Sequence, residues 1–340
     1  MSNILTIVIP TYNRAKKLEK SLGRNLSIGA KYADSVQFLV TDNNSPDDTE
    51  NVVKNYQRQF PQLLSYHKQP KNIGFDNNFF DGARRATTKY ICLMGDDDTI
   101  TPSYFETIFY ILKKYPELGW INYNVMDVSY GGHFLGMRDK DINEHYYPEG
   151  CGLMRDHQET PSLISSNVFL REEFLKIHDC TTTLNYEGYN WLYCMFRAFI
   201  HKPCFYYGFP IAMDGKPEGG PDWNYKFPIY FLYGMGRMFK ELDAEDPGLY
   251  KVWSERQFAP GYTNTENLLF LVSTHRDYYK GENFRKIYPY IESDYYRKRF
   301  TWAVKYPLRF FLLLTKPEQM IIYYTKRLFS SIRLFKIRKK

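Results

Sequence analysis

The sequence contains few of the features that mark secreted, membrane-spanning or disulfide-stabilised proteins. Its five cysteines include no Cys-x-x-Cys pair, and their odd number argues against a disulfide framework and favours a reducing compartment. No apolar run approaches the ~20 residues that span a bilayer. The strand-length run Leu5–Ile9 near the N-terminus lacks the basic region of a signal peptide. We therefore expect a cytoplasmic protein.

Aromatic residues, by contrast, are abundant. Tyr and Phe number 31 and 25, and aromatic residues make up 18% of the 340 positions. A hydrophobic content of 44% with 24% charged residues is typical of a folded globular protein. The length allows one large domain or two smaller ones. Tyr-rich surfaces suit stacking on sugars and contact with membrane interfaces, so the composition is compatible with either kind of partner.

Positive charge is concentrated in the last part of the chain. Residues 297–340 contain 13 Lys or Arg and one acidic residue, Glu318, whereas the whole protein has a net charge of only +7. Aromatic and Leu residues lie among these basic positions, which suits helices on an anionic membrane, where each Lys or Arg contributes about 1 kcal/mol. Nucleic-acid binding and completion of the core are the alternatives. We expect residues 300–340 to form a basic amphipathic tail that associates with the inner face of the membrane and binds no nucleic acid.

An apolar run that ends in three consecutive carboxylates organises the rest of the chain. Tyr90–Met94 has the length and character of a buried strand, and Asp96, Asp97 and Asp98 follow Gly95 at its C-terminal end. Adjacent carboxylates repel one another unless water or a cation neutralises them. Mg²⁺ or Mn²⁺ is the cation that such oxygen ligands favour. A solvated acidic turn before a helix is the alternative.

Three strand, loop and helix units precede this acidic turn. Apolar runs at residues 4–9, 36–40 and 63–66 are each followed by a polar loop and a helical pattern. Strands that alternate with helices predict a doubly wound, mostly parallel sheet, in which ligands bind beyond the carboxyl ends of the strands. At those ends the chain carries polar and aromatic residues: Thr11, Tyr12, Asp42, Asn44, Asn72 and the three acids.

This combination of groups suits a nucleotide diphosphate. An aromatic ring can stack on the base, a carboxylate can accept a hydrogen bond from a base N–H, and a metal can neutralise the pyrophosphate. Asn and Asp also fill turns and cap helices throughout proteins, so each loop taken alone has a structural explanation. Their coincidence on one edge of the sheet favours the nucleotide.

Four motifs in this region resemble those of the family 2 glycosyltransferases. They are Ile7–Arg14, Thr41–Thr49, Asn72–Phe75 and Leu93–Asp98 followed by Pro102, and their order and spacing match across residues 1–120. The resemblance implies the GT-A fold, a Rossmann-like and mostly parallel sheet flanked by helices. It also implies an enzyme that transfers a sugar from a nucleotide-sugar donor.

The resemblance further implies roles for individual residues. Thr11 and Tyr12 would line the base, Asp42 would contact a ring nitrogen of the base, and Asn72 would lie near the base or the ribose. The acids correspond to the DxD motif, which holds Mn²⁺ or Mg²⁺ on the diphosphate; three in a row leave the register open, and we take Asp96 and Asp98 as the metal ligands, with Asp98 the direct one. The full set expected to bind the donor is Pro10, Thr11, Tyr12, Arg14, Asp42, Asn44, Asn72, Asp96 and Asp97.

The middle of the chain is expected to bind the acceptor. Ser162–Glu173 is similar to a stretch of the abequosyltransferase-like enzymes of bacterial surface-polysaccharide synthesis, in which a strand lies under the acceptor sugar. Residues 132–160 are polar and Gly-rich, which predicts a mobile loop on the acceptor side. We therefore predict a glycosyltransferase domain over residues 1–215, with a donor half over 1–120 and an acceptor half over 121–215. A helical appendage over 216–299 and the tail over 300–340 follow.

The catalytic base is where the sequence departs from the family pattern. Inverting members usually carry a Glu-Asp pair at the start of a helix, whereas this chain has Glu187 alone in the corresponding place. Glu187 is our candidate for the base, although its charge also suits a helix N-terminus. Asp156 and His157 are second candidates, and a retaining mechanism would need no such base. The seven histidines otherwise show no metal-ligand spacing.

Our hypothesis is a metal-dependent glycosyltransferase that passes a sugar to a hydroxyl of a saccharide or lipid-linked saccharide, in the synthesis of a capsular or O-antigen polysaccharide. A sugar nucleotidyltransferase is one rival, but Pro10–Arg14 is not the Gly-rich, Lys-containing phosphate loop that such an enzyme carries. A non-catalytic scaffold that binds a nucleotide sugar is another. The sugar, nucleotide, acceptor, linkage, stereochemical course and oligomeric state stay open at this point.

Overall fold

The structure is a computed structural model. It describes residues 4–181, 186, 188–216, 226, 228–258, 268–269, 272–273 and 275–306. The chain divides into two compact units, of which the first holds the described residues up to 216 together with 241–249. The second holds 226–240 and the described residues from 250 onward. Glu187 and residues 307–340, which include most of the predicted tail, lie outside the described residues.

The first part of the sheet is entirely parallel. Its spatial order is β3-β2-β1-β4, and its strands are β1 (Leu5–Thr11), β2 (Val36–Asp42), β3 (Leu64–Lys68) and β4 (Tyr90–Leu93). Every residue of β1 and β4 is buried, as expected for parallel strands covered on both faces. The crossover helices are α1 (Ala15–Gly29), α2 (Thr49–Gln59) and α3 (Phe75–Arg85).

Helix α1 shows why these crossovers pack on the sheet. Leu18, Leu22 and Leu26 recur every fourth residue and are all fully buried, so they form one apolar stripe along the helix. Each buried Leu contributes roughly 1.5–3 kcal/mol of hydrophobic stabilisation. Two polar residues, Ser21 and Asn25, interrupt this apolar face and are buried with it.

The second part of the sheet mixes parallel and antiparallel pairs. The order continues from β4 as β9-β6-β10-β5. The strands are β5 (Thr99–Ile100), β6 (Trp120–Ser129), β7 (Phe134–Met137), β8 (Glu144–Tyr147), β9 (Asn167–Leu170) and β10 (Cys204–Lys216). Strand β9 runs antiparallel to both of its neighbours, whereas β6 and β10 are parallel to each other. The helices of this part are α4 (Tyr104–Lys114), α5 (Gly150–Asp156), α6 (Arg171–Cys180) and α7 (Asn190–Phe199).

Residues 132–160 contain more regular structure than the loop that we predicted. Strand β7 pairs with β6 and strand β8 with β10, so both short strands belong to the main sheet. Helix α5 follows directly after β8. The sequence did not indicate these elements because β7 and β8 are four residues long and are exposed or only half-buried.

The C-terminal region is helical, as predicted. A seven-residue π-helix, Ile229–Met235, leads into α8 (Gly236–Leu242), followed by α9 (Leu249–Gln257), α10 (Glu282–Ile287) and α11 (Asp294–Lys305). Aromatic residues form the core of the second unit, where the rings of Phe239 and Trp253 stack with centroids 5.8 Å apart. Within the described residues, no helix is both long enough and apolar enough to cross a membrane. The predicted boundaries at 215 and 299 stay predictions.

Candidate functional site

The acidic turn after β4 lies beside the carboxyl end of β1, because the two strands are adjacent and parallel. The hydroxyl of Thr11, the last residue of β1, donates a hydrogen bond to Asp96 Oδ2 at 2.7 Å. Arg14 Nε lies 3.1 Å from Asp96 Oδ1, and the same guanidinium also pairs with Asp97. The structure thus brings together four of the residues that the sequence predicted for one site.

Helix α1 holds the backbone of the acidic turn. Ser21 Oγ donates to the carbonyl of Asp96 at 2.6 Å, and Asn25 Nδ2 donates to the carbonyl of Asp98 at 3.0 Å. Asn25 Oδ1 in turn accepts from the Ile100 backbone N–H at 3.0 Å. Sequence reasoning missed both side chains. The signal was present as two polar residues, four apart, on the apolar face of α1.

The three carboxylates of the turn differ in their surroundings. Asp96 and Asp98 are 4% and 3% exposed, whereas the side chain of Asp97 is 17% exposed. Both oxygens of Asp98 accept hydrogen bonds, one from the Ser165 hydroxyl and one from the Gly215 backbone N–H at 3.1 Å. Asp97 accepts from the Tyr130 hydroxyl at 2.6 Å as well as from Arg14. Asp97 is therefore the carboxylate of the turn most accessible from solvent.

The turn belongs to a larger group of charged side chains. Arg138 Nε lies 2.9 Å from Asp127 Oδ1, and the same guanidinium pairs with Asp214. Burial, with the negative charges of Asp214 and Asp97, raises the pKa of Asp98 well above its usual value. Burial also raises the pKa of Asp96 to about 6, although the nearby Arg14 opposes the shift. The two arginines thus offset the negative charge only in part.

This donor set fits a hard divalent cation. All the ligand atoms that the turn offers are carboxylate oxygens, which Mg²⁺ and Mn²⁺ prefer. Burial, and after it the repulsion between carboxylates, raises the pKa values of Asp96 and Asp98, and a cation among these acids would offset both effects. Asp97 could supply an oxygen by shifting its contact with Arg14, which is itself one-third exposed.

The residues predicted to contact the base lie at the ends of β1 and β2. The Tyr12 side chain is 44% exposed, so its ring is open to a stacking partner. Asp42 is fully buried, and its two oxygens accept hydrogen bonds from the Ser45 backbone N–H at 2.8 Å and the Tyr66 hydroxyl at 2.7 Å. Asp42 therefore also organises the loop in which it lies. Pro10 is buried within β1, opposite Thr41.

The two predicted asparagines lie in neighbouring loops at the same edge. Asn44 is exposed and has a φ of 63°, in the left-handed region that Asn tolerates better than most residues. Asn72 is also exposed, and its Oδ1 accepts from Asn43 Nδ2 at 3.0 Å and from the Gly74 backbone N–H at 2.9 Å. These contacts join the loops after β2 and β3.

The candidate base Glu187 lies outside the described residues, but Asn190 at the start of α7 is described. Asn190 Nδ2 donates to Asp76 Oδ2 at 2.7 Å, while Asp76 Oδ1 is buried without a hydrogen-bond partner. Burial raises the pKa of Asp76 to about 6. Sequence reasoning missed Asp76. Its only signal was its position in the first turn of a helix, two residues after Gly74, whose φ of 84° favours glycine.

The second candidates for the base follow one another at the end of α5. Asp156 accepts from the Tyr147 hydroxyl at 2.9 Å. His157 is 3% exposed, and its Nδ1 lies 2.8 Å from Asp139 Oδ2.

The first half of the chain is similar to known proteins. The profile described as Glycosyl transferase family 2 matches residues 6–175. A beta-1,3-glucosyltransferase of Campylobacter jejuni, named for GalNAc(5)-diNAcBac-PP-undecaprenol, is 29% identical over 104 residues, which cover 31% of this chain and 33% of the relative. The abequosyltransferase RfbV of Salmonella typhimurium is 28% identical over 97 residues, which cover 28% of this chain and 29% of the relative. The matched stretch thus spans about a third of these curated relatives.

A solved structure is similar over most of the chain. The mannosyltransferase PcManGT from Pyrobaculum calidifontis, in complex with GDP-Man and Mn²⁺, superposes with a TM-score of 0.55. The match covers 90% of this chain and 88% of that protein at 13% sequence identity. This likeness, at the level of the fold, confirms the GT-A class predicted from the sequence.

Proposed function

The chain belongs to glycosyl transferase family 2, and from that premise we propose that it transfers a sugar from a nucleotide-diphosphate donor to a hydroxyl of a saccharide or lipid-linked saccharide. The observation that carries this proposal is the edge formed by β1 and β4. There an exposed aromatic ring, an arginine and a group of carboxylates lie just beyond the carboxyl ends of two adjacent parallel strands.

The donor would bind along this edge. The exposed ring of Tyr12 is suited to stack on the base. Asp42, which accepts a hydrogen bond from the Tyr66 hydroxyl, would contact the base in this proposal, and Asn44 and Asn72 would offer polar groups beyond the ends of neighbouring strands. Arg14 pairs with Asp96 and Asp97, where the diphosphate of the donor would bind with the metal. A small shift of the Arg14 side chain would let its guanidinium bind a phosphate of the donor.

The acidic turn would hold Mn²⁺ or Mg²⁺ with the diphosphate. We assign the direct contact to Asp97, because it is the most exposed of the three acids. Asp96 is a second ligand in this proposal through Oδ1, which accepts no hydrogen bond among the described residues and lies 3.1 Å from Arg14 Nε. Asp98 is the residue that we predicted from the sequence as the direct ligand. Both of its oxygens accept hydrogen bonds, so it can bind the metal only if the hydrogen bond from Ser165 or Gly215 is broken. When bound, the cation would offset the negative charge that develops on the leaving phosphate.

Two carboxylates are candidates for the base that removes the proton from the acceptor hydroxyl. Glu187 stays a candidate on the resemblance alone. Asp76 is the second, because it contacts Asn190, three residues after Glu187, and its pKa of about 6 suits proton acceptance near neutral pH.

The acceptor would belong to the synthesis of a surface polysaccharide. The name of the Campylobacter relative includes an undecaprenol-linked saccharide, and the Salmonella relative is an abequosyltransferase. A lipid-linked acceptor would bring the enzyme to the membrane, where the basic tail could associate with anionic lipids. We therefore propose a protein that works at the inner membrane surface.

The proposal is tested by donor turnover in the purified protein. UDP-, GDP-, CDP- and dTDP-sugars are incubated with Mn²⁺, and nucleotide release is measured for the parent and for Asp97→Asn. We expect one donor to be hydrolysed or transferred, and the variant to be about 10²–10³-fold slower. Asp34→Asn, at an exposed residue before β2, is the matched control and should retain the parent rate. Nucleotide binding without turnover of any donor would favour the scaffold instead.

A further inference from the structure

A second group of metal-binding side chains lies in the first unit and shares no residue with the acidic turn. Asp141, His145 and His157 each offer one ligand atom, and these atoms all lie within 4.8 Å of one another. Asp141 lies in the loop between β7 and β8, His145 lies on β8, and His157 directly follows α5. Three separate segments therefore converge on one point.

His157 is held in the orientation that a metal ligand needs. Its ring is 3% exposed and stacks on Tyr206, with centroids 3.6 Å apart and an angle of 12° between the planes. Nδ1 lies 2.8 Å from Asp139 Oδ2, a contact that places the proton on Nδ1 and leaves a lone pair on Nε2. Metal-binding histidines commonly donate their second ring nitrogen to a carboxylate in this way.

The other ring nitrogen of His157 gives the independent indication of a ligand. Nε2 is buried and has no hydrogen-bond partner. A buried polar atom without a partner costs about 1–3 kcal/mol. A cation bound at Nε2 would remove that cost.

Asp141 and His145 complete the group from the more exposed side. Asp141 Oδ1 accepts from the backbone and side-chain nitrogens of Asn143, at 2.9 and 2.8 Å, which fixes the carboxylate. Asp141 Oδ2 lies 2.7 Å from His145 Nε2. The side chains of Asp141 and His145 are 31% and 39% exposed, so a cation can reach them from solvent.

We propose that Asp141, His145 and His157 bind a transition-metal cation, with Zn²⁺ the best match. Two imidazoles and one carboxylate, completed by a water molecule, form a recurrent tetrahedral zinc site. Imidazole ligands favour zinc, copper and nickel, whereas the oxygen ligands of the acidic turn favour Mg²⁺ and Mn²⁺. The two groups would therefore select different metals.

The bound cation would tie the β7–β8 loop and the end of α5 to the sheet. The loop already contacts the sheet, since Asn124 Nδ2 donates to the carbonyl of Asp139 at 2.9 Å and the Tyr206 hydroxyl donates to the carbonyl of Asp141 at 3.0 Å. A metal bound only in the folded state adds its binding free energy to stability. The inferred role is to hold these segments of the acceptor half together, with the fourth coordination position left open to water.

The test is a titration of chelator-treated full-length protein, without any histidine tag, with Co²⁺ as a spectroscopic substitute for zinc. We expect one equivalent to give the intense visible bands of tetrahedral cobalt and to be displaced by Zn²⁺ but not by Mg²⁺. His145→Ala should weaken binding at least 10-fold. His133→Ala, at an exposed histidine between β6 and β7, is the matched control and should bind as the parent does.

A second measurement distinguishes loss of the metal site from misfolding of the variant. Zn²⁺ should raise the unfolding temperature of the parent and of His133→Ala but not that of His145→Ala, while the circular dichroism spectra of all three agree. Absence of the tetrahedral bands in the parent would overturn the proposal. Equal cobalt affinity in the two variants would overturn it as well, because Asp141 and His145 would then form only an ion pair.

Discussion

The acidic turn and the Asp141–His145–His157 group are two concentrations of polar side chains in one folded unit, but they are built differently. In the acidic turn, two carboxylates pair with Arg14, and the backbone is held by helix α1. In the second group, a carboxylate orients an imidazole whose other nitrogen is left without a partner. The acidic turn suits a cation that binds together with an anionic ligand. The Asp141–His145–His157 group suits a cation that stays bound to the protein without one.

The largest effect that would sharpen this comparison is expected for Asp139→Asn. The asparagine keeps the size of the side chain but no longer fixes the tautomer of His157, so cobalt affinity at the second group should fall about 10–100-fold. Donor turnover at the acidic turn should not change. Cobalt titration of Asp139→Asn, with Asp34→Asn as the control, measures the effect. If turnover fell as much as cobalt affinity, the two groups would not be independent.

An effect of similar size, on stability rather than on metal affinity, is expected for Ser165→Ala at the acidic turn. The Ser165 hydroxyl donates to Asp98 and accepts from the Gly95 backbone N–H at 2.8 Å, and both contacts are lost in the variant. Unfolding in urea should show a loss of about 1–3 kcal/mol. Ser162→Ala is the matched control, because Ser162 is half-buried and donates only to the carbonyl of Glu159. Equal losses in the two variants would show that Ser165 does not support the turn.

The smallest effect concerns Asp76, a carboxylate that contacts neither an arginine nor a histidine in the described hydrogen bonds. Its folded pKa of about 6 lies above the usual value of 3.8, so its ionisation destabilises the fold as the pH rises through about 6. Asp76→Asn should therefore raise the unfolding temperature by about 1–3 °C at pH 8 and leave it unchanged near pH 4. The same difference at both pH values would contradict the raised pKa.

The same variant also bears on the catalytic base. If Asp76 accepts the acceptor proton, the parent rate should rise with pH through about 6, and Asp76→Asn should lose both the rate and this dependence. Asn77→Ala, at the exposed neighbouring residue, is the control. A full rate in Asp76→Asn would return the role to Glu187.

The parallel half of the sheet could be predicted from the sequence because β1, β2 and β4 are mostly buried apolar runs and each of its four strands is followed by a polar loop. The positions of Thr11, Asp42, Asn72 and Asp96 at one edge followed from that pattern alone. The supports of the acidic turn could not be predicted in this way. Ser21 is 75 residues from Asp96 along the chain, and Ser165 is 67 residues from Asp98.

The half of the sheet that mixes parallel and antiparallel pairs was harder to predict, because its arrangement also depends on contacts between distant parts of the chain. Strand β9, Asn167–Leu170, lies inside Ser162–Glu173, where the resemblance implied a strand, but no local pattern indicated that it runs antiparallel between β4 and β6. His145 and His157 show no ligand spacing along the chain, and only the pairing of β8 with β10 and the position of α5 bring them together. The one local signal was the spacing of four residues between Asp141 and His145.

The most direct test of the central claim, that the acidic turn binds a divalent cation together with a nucleoside diphosphate, is a thermal-shift measurement. UDP, GDP, CDP and dTDP are each added with and without Mn²⁺ to the parent and to Asp97→Asn, because a ligand that binds only the folded state raises its stability. The account predicts that one nucleotide with Mn²⁺ stabilises the parent more than the sum of the two ligands added separately. It also predicts that Asp97→Asn loses this excess. An equal shift in both proteins, or one independent of Mn²⁺, would contradict it.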